Sequence, residues 1–141
     1  MGAREYFRDS EHALAQRDWD KLAGTLELDA SIITKDSSIS VGQWIELLKA
    51  LCRAFSGYGQ NLRYIQEEEG VDKATFVEST TELAHDGLLE LPGLPGRLEA
   101  TSRTFQCTTG SMVLYNDRAR VTSMAFLIRP DLSEIMWLLR S

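Results

Sequence analysis

Apolar residues in the first part of the chain recur with the spacing of a helix. One stripe contains four residues at positions i, i+3, i+4 and i+7: Trp19, Leu22, Ala23 and Leu26. This spacing predicts an amphipathic helix. A break near Arg17 separates it from an earlier helix, because the side chain of Asp18 can cap the first turn of the second one. The pattern therefore predicts two helices before the first strand.

A strand and a longer helix are predicted next. The short β-branched segment from Ala30 to Asp36 is typical of a strand. Ser40 and Gln43 then have the spacing of a capping box, which starts a helix. The segment SGYG at 56–59 predicts the end of that helix. Seven residues share its apolar face: Val41, Trp44, Ile45, Leu48, Leu51, Cys52 and Phe55.

The second half of the chain has the pattern of strands. Two long strands are predicted between Asn61 and Gly87, joined near Val71-Asp72-Lys73. A third runs from Arg103 to Tyr115 and turns at Asn116-Asp117, and a fourth runs from Ala119 to Ile128, before Pro130. The final segment, DLSEIMWLLRS, fits both a helix start and strand alternation, and we favour a short helix.

Helices followed by an antiparallel meander indicate the α+β class. The helices are expected to cover one face of a strongly bent sheet. The length of 141 residues suits one domain over residues 1–141. Gly110, in the middle of the third strand, suits a bend there.

Composition excludes several classes of function. The net charge of −6 disfavours nucleic acid as a partner. No apolar run approaches the roughly 18 residues that cross a bilayer, and the first residues do not resemble a signal peptide. Cys52 and Cys107 lie far apart, which favours two reduced thiols in a cytoplasmic protein.

Several segments in this order resemble the nuclear transport factor 2-like superfamily, and within it the SnoaL-like polyketide cyclases. The segment QRDWDKLAGTLELDASI is similar to that group's small helix and following strand, and EEEGVDKATFVESTTELAHDG to its long hairpin, which ends in His85-Asp86-Gly87. The Pro/Gly-rich loop LPGLPGRLEATSRTF and the final hairpin LYNDRARVTSMAFLI complete the likeness. It covers roughly residues 10–128.

This resemblance implies a conical half-barrel with a deep pocket between the helices and the concave sheet. Activities on this scaffold include cyclisation, isomerisation, dehydration and epoxide opening, and other members are not enzymes. The SnoaL-like cyclases carry an acid/base Asp on the last long strand. The matching segment here, RVTSMAFLI, contains no acid and no histidine, so the usual apparatus is missing from this chain.

Three residues remain as candidate catalytic groups. His85 titrates near neutral pH, as a general base must, although it also suits a strand end that bonds a loop carbonyl. Glu78 would be a desolvated base on the concave face, or a rim or dimer-contact charge on the other face. Asp36 corresponds to a polar group at the pocket mouth of related proteins, or to an ordinary turn residue.

Large side chains suggest the walls of a substrate pocket. The candidates are Trp44, Met112, Tyr115, Met124 and Phe126. Trp44 is equally explained by core packing, and Tyr115 either donates a phenolic proton or flanks a turn. The histidines and cysteines have no metal-ligand spacing, and no nucleotide-binding motif is present, so no cofactor is expected.

The sequence supports two hypotheses of function. The first is a cofactor-independent isomerase, cyclase or dehydratase that acts on a hydrophobic, polyketide- or terpenoid-like small molecule in natural-product biosynthesis. The second is a non-catalytic ligand-binding or interaction module. A homodimer is expected in either case, because the convex sheet face needs cover and leucines follow Gly87. The loop that carries those leucines is expected over the pocket mouth or against the second subunit.

Overall fold

The structure, a computed structural model, describes residues 3–35, 37–59, 64–67, 75–115 and 120–140; for residues 3–7, 64–67 and 75–79 it describes the backbone alone. Asp36 and the two turns predicted near residues 72 and 116 lie outside the described residues. The elements are α1 Ala3–Ala15, α2 Trp19–Ala23, β1 Leu26–Ile33, β2 Ser38–Ile39, α3 Val41–Ala54, β3 Tyr64–Glu67, β4 Thr75–Ala84, β5 Thr104–Tyr115, β6 Val121–Arg129 and α4 Leu132–Arg140.

The helix boundaries follow the predicted capping residues. Asp18 caps α2 by accepting a hydrogen bond from the backbone N–H of Lys21 at 3.2 Å. Arg17, in the break between α1 and α2, has a φ of 58°. At the start of α3, the Ser40 hydroxyl accepts from the Gln43 N–H and the Gln43 side chain accepts from the Ser40 N–H, at 3.1 and 2.9 Å. The predicted capping box is therefore confirmed.

The first strand begins earlier than predicted. We expected a strand from Ala30 to Asp36, but β1 begins at Leu26, where it pairs with Val121. Helix α2 ends at Ala23, and Gly24 caps it, so Leu26 belongs to the strand rather than to the helical stripe. The predicted stripe was wrong at Leu26, because a single apolar residue just after a five-residue helix fits both the helical and the strand period.

The six-stranded sheet has the order β2-β1-β6-β5-β4-β3. Strands β3 to β6 form the predicted antiparallel meander. Strand β1 adds to β6 in parallel, which the sequence pattern did not indicate. The sheet is curled and does not close, and the α+β prediction is confirmed.

The C-terminal segment forms the helix that we favoured. The Asp131 carboxylate accepts a hydrogen bond from the Glu134 N–H at 2.9 Å, which caps the first turn of α4. Ile135, Met136 and Leu139 are buried on one side of this helix. Its apolar face therefore belongs to the core, which excludes the alternative of a strand. No helix within the described ranges has the length and apolar character that crossing a bilayer requires.

The sheet has a concave face toward the core and a convex face away from it. Five buried residues mark the concave face of β4, β5 and β6: Leu83, Cys107, Val113, Met124 and Phe126. The register from Thr75 to Ala84 contains no shift, so strict alternation holds along β4. This register decides which side chains of the central strands can reach the interior.

Candidate functional site

A cavity of about 1070 Å³ lies where α3, β6 and α4 begin or end. Residues of five segments line it: Thr34, Lys35, Ser37, Ile39 and Ser40; Gly42, Gln43, Glu46 and Leu47; Pro92, Gly93 and Leu94; Phe126, Leu127, Ile128 and Arg129; and Asp131, Leu132, Ser133 and Glu134. The loop after β4 contributes Pro92, Gly93 and Leu94 to the lining, so this loop lies at the cavity. A place over the pocket was one of the two positions that we expected for it. Leu89 and Leu91 of the same loop are buried within the chain, and Leu88 is partly buried.

The inner wall of the cavity is apolar. Phe126 and Ile128 contribute from β6, and Leu47 faces them from α3. Trp44 packs edge-on against Phe126, with the ring centroids 6.3 Å apart, and supports that wall from behind. An apolar wall of this kind suits the body of a hydrophobic small molecule.

Charged side chains surround the cavity, and sequence reasoning did not single them out. Lys35 donates to the Asp131 carboxylate at 2.8 Å, and Asp131 also caps α4. These hydrogen bonds, the Lys35 one foremost, lower the pKa of Asp131 to about 2, so Asp131 is ionised at any working pH. Glu46 lines the cavity from α3 and lies 3.3 Å from Lys49. In the sequence, Glu46 lies in the second turn of α3 and Asp131 directly precedes α4, and these positions were the available signal.

His85 lies outside this cavity, in the core. Its side chain is 0% exposed and packs beside Phe55, with ring centroids 5.6 Å apart. The Nδ1 atom accepts a hydrogen bond from the Thr101 N–H at 3.2 Å and lies 2.9 Å from the Thr101 hydroxyl. The His85 backbone also pairs with Arg103 and Ser102. His85 therefore fastens both ends of the loop that reaches the cavity.

The protein is expected to lose stability as the pH falls below about 6.5. Burial lowers the pKa of His85 from 6.5, although the carbonyls of Gly87 and Leu98 and the charge of Asp86 oppose this. The unfolded chain then binds a proton that the folded chain resists, so the His85 contribution is present above 6.5 and is lost as the pH falls through the lowered folded pKa. Urea unfolding between pH 7.5 and 5 measures the slope.

The matched control is the other histidine. His12 is exposed on α1, so His12→Gln should keep the wild-type slope. His85→Gln should remove most of it. Equal slopes in the wild type and in His85→Gln would contradict the assignment to His85.

Of the other two candidate bases, the structure describes only the backbone of Glu78 and does not describe Asp36. Glu78 pairs through its backbone with Gly110, in the alternation set of Thr80 and Glu82 rather than that of Leu83. Asp36 lies outside the described residues, and its chain neighbours Lys35 and Ser37 line the cavity. The catalytic roles proposed for His85, Glu78 and Asp36 stay predictions.

One of the five predicted wall residues, Phe126, lines the cavity. Trp44 lies behind it, and Met124 is buried beside it on the concave face of β6. Met112 occupies the convex face and is 50% exposed, because its position has the opposite alternation to Val113. Tyr115 is half-buried at the far end of β5. The structure therefore does not bring these five residues together around this cavity.

Within the described residues, no group of three or more histidine, cysteine or acidic side chains is placed to hold a metal ion. Cys52 and Cys107 are free thiols. Burial raises the pKa of Cys107 to about 11, so its thiol stays protonated.

No protein-family model matches the chain, and no curated protein sequence matches it significantly. Solved structures do match. AclR from Streptomyces galilaeus, provisionally named a hydroxylase, superposes with a TM-score of 0.75 at 16% identity over 97% of this chain and 80% of AclR. IdmH from Streptomyces antibioticus, provisionally named a polyketide cyclase, gives a TM-score of 0.70 at 16% identity over 97% and 96% of the two chains.

A third structure carries the name that the sequence suggested. A protein from Jannaschia sp. CCS1, provisionally named a SnoaL-like polyketide cyclase, gives a TM-score of 0.69 at 16% identity over 97% of this chain and 93% of its own. These likenesses confirm the nuclear transport factor 2-like cone as the fold. At such low identity they establish the fold alone.

Proposed function

We propose that the protein is a cofactor-independent isomerase, cyclase or dehydratase of a hydrophobic small molecule, polyketide- or terpenoid-like, in natural-product biosynthesis. The observation that carries this proposal is the cavity with the inner wall of Leu47, Phe126 and Ile128 and charged residues around it. Proteins of the same fold that are named as polyketide cyclases support the reaction class. A cytoplasmic location belongs to the same proposal.

The size of the cavity suits a ligand of several fused rings. Ligand pockets in proteins typically measure about 300–1,000 Å³, and this one measures about 1070 Å³. An apolar wall excludes water and holds a flexible substrate in one folded conformation. Positioning of this kind lowers the barrier of an intramolecular reaction without any cofactor.

A non-catalytic ligand-binding module is the alternative. The observation that favours it is the absence of acids and histidines from β6, Val121–Arg129, where the resemblance implies the catalytic acid. The enclosure of His85 in the core points the same way. Both functions require the cavity to bind an apolar ligand, and only the enzyme requires a base in contact with it.

Ligand binding is tested by filling the cavity. Tetralin, an apolar bicyclic probe, should bind to the wild-type protein in isothermal titration calorimetry. Leu47→Trp places an indole in the cavity and should weaken binding at least about tenfold, because the probe and the indole compete for one volume. Leu28→Trp, the same change at a side chain that is 97% exposed, is the control. Absence of binding, or equal binding in both variants, would contradict the proposal.

We also propose a homodimer that forms through the convex face. Ile33, Ala125 and Met112 lie in one cross-strand row on β1, β6 and β5, and Leu127 is exposed next to that row. A second copy would remove this apolar surface from water. Sedimentation velocity at micromolar concentration should show a dimer, and Met112→Glu should shift it toward monomer. A wild-type monomer under these conditions would overturn the proposal.

A further inference from the structure

The loop that reaches the cavity is closed at its base. The backbones of Leu89 and Leu98 pair through two hydrogen bonds of 2.9 Å, and Leu89 is fully buried. We call the segment from Leu89 to Leu98 the cavity loop, because its residues Pro92, Gly93 and Leu94 line the cavity. The base is therefore fixed, and the position of the tip depends on further contacts.

Contacts within the cavity loop hold its tip only weakly. Leu94 donates to the Leu91 carbonyl at 3.2 Å, which closes one turn. Glu90 and Arg97 lie 4.0 Å apart with both side chains exposed, and such ion pairs add little stability because water and salt screen them. Gly93 has a φ of 79°, and a Cβ atom there would meet nothing within 4 Å. The tip therefore needs support from outside the loop.

Helix α4 supplies such support at Gly96. A Cβ atom on Gly96 would lie 2.5 Å from Nη2 of Arg140, so the guanidinium group packs on the backbone of the cavity loop. Gly96 has a φ of 91°, in the region that favours glycine. Arg103, just before β5, donates through Nη1 to the Leu138 carbonyl at 3.4 Å. The last turn of α4 therefore contacts the cavity loop and the segment that follows it.

The other end of α4 belongs to the wall of the same cavity. Residues from Asp131 to Glu134 line the cavity, and the Lys35 ammonium group donates to the Asp131 carboxylate at 2.8 Å. Three buried side chains fix the helix in the core between its two ends. Nine residues at 1.5 Å each span roughly 13 Å. Helix α4 thus holds Arg140 at a fixed place from which it can set the position of the loop.

We propose that Arg140 is a positioning residue for the cavity: its guanidinium group holds the cavity loop in the conformation that completes the lining. Arg140 is not among the lining residues, so it acts through Gly96 and not by touching the ligand. This inference rests on the proposed function, because its effect requires that the cavity binds a ligand. The apparent dissociation constant rises as the fraction of protein in the competent conformation falls.

Calorimetry with tetralin tests the effect on the ligand. Arg140→Ala should weaken tetralin binding about 3–10-fold, because the freed loop would complete the lining in only a fraction of the molecules. Gly96→Ala reaches the same contact from the loop, since its methyl group would displace the guanidinium group. Arg53→Ala removes an exposed arginine from the last turn of α3; it is the control and should bind tetralin as the wild type does.

The effects of the two substitutions should not multiply. If both break one contact, the double variant Gly96→Ala/Arg140→Ala should weaken tetralin binding by less than the product of the two single effects. Alanine is also strained at the positive φ of Gly96, but this strain is present with and without Arg140 and cancels in the comparison. A double variant whose effect equals the product would contradict an action of Arg140 through Gly96.

Trypsin provides a readout that needs no ligand. Arg97 lies in the cavity loop, and the rate of cleavage after it follows the population of the opened loop. Arg140→Ala should accelerate this cleavage at least about threefold and leave cleavage after Lys49, in α3, unchanged. If cleavage after Lys49 also rises, the variant is destabilised as a whole. Arg140→Lys, which keeps the charge without the planar group, then decides by the same comparison.

The outcomes separate this inference from the proposed function. If tetralin binds and Leu47→Trp blocks it, but Arg140→Ala changes neither tetralin binding nor cleavage after Arg97, the positioning role is overturned and the cavity stands. Faster cleavage after Arg97 with unchanged tetralin binding would also overturn it, because the loop would then be held without serving the ligand. If tetralin does not bind to the wild type, the proposed function fails and the positioning role fails with it.

Discussion

Gly87→Ala is expected to lower the free energy of unfolding by about 3 kcal/mol or more. A Cβ atom at this position would lie 2.0 Å from the carbonyl oxygen of Arg53 and 3.1 Å from its carbonyl carbon. Both are backbone atoms of α3, so no side-chain rotation can make room for a methyl group. The loop after β4 would have to move away from the end of the helix.

That movement would break several contacts at once. The backbone N–H groups of Asp86 and Gly87 both donate to the Ala54 carbonyl, at 3.2 and 3.0 Å. The Asp86 carboxylate accepts from the Ser56 N–H at 2.9 Å and from the Ser56 hydroxyl. The end of α3 and the loop that reaches the cavity are therefore joined at one point, and Gly87 is the residue that permits this approach.

Urea unfolding at pH 7.5 measures the effect. Gly57→Ala is the control, because a Cβ atom there meets nothing within 4 Å. It should change the free energy of unfolding by less than about 1 kcal/mol. If Gly57→Ala and Gly87→Ala unfold at the same urea concentration, the close approach at Gly87 does not limit stability.

The segment His85-Asp86-Gly87 shows how a motif can be recognised without its role being evident. The sequence resemblance located it at the end of the long hairpin, and β4 does end at Ala84. Its three residues have three structural roles: His85 binds Thr101, Asp86 binds Ser56, and Gly87 contacts Arg53. Each partner is 16 or more residues distant in the chain, so local pattern alone could not assign these roles.

Local signals predicted the elements well where capping and periodicity agreed. Helix α3 shows this: its capping box, its apolar face and its end near residue 55 follow from contacts between residues three or four positions apart. Strand β1 shows the opposite. Its pairing with β6 joins residues about 90 positions apart, and nothing in the first 36 residues indicates that partner.

The cavity could not be predicted for the same reason. Its lining comes from five segments that the fold brings together, including the loop at 92–94 and the start of α4. The second obstacle was to predict which side chains of β5 face the interior. Both alternation sets of β5 mix small polar and apolar residues, so its sequence does not reveal which set lies on the concave face. The choice between Met112 and Val113 required the register with β4 and β6.

If the protein is an enzyme, removal of its general base should reduce the rate by about 10²–10⁴-fold. The candidates are the predicted His85, Glu78 and Asp36, together with Glu46. Among the described side chains of this set, Glu46 is the one that lines the cavity. We therefore expect the largest loss in Glu46→Gln.

Exchange of the α-protons of 1-tetralone in D₂O, followed by proton NMR, reports proton abstraction without knowledge of the natural substrate. The wild type should accelerate this exchange above the rate in buffer, and Glu46→Gln should lose most of the acceleration. Glu82→Gln is the control and should keep it, because Glu82 is an exposed carboxylate outside the cavity lining. Retained exchange in Glu46→Gln with loss in His85→Gln, Glu78→Gln or Asp36→Asn would assign the base to that residue instead. Wild-type exchange no faster than in buffer would contradict a general base in the cavity and favour the ligand-binding module.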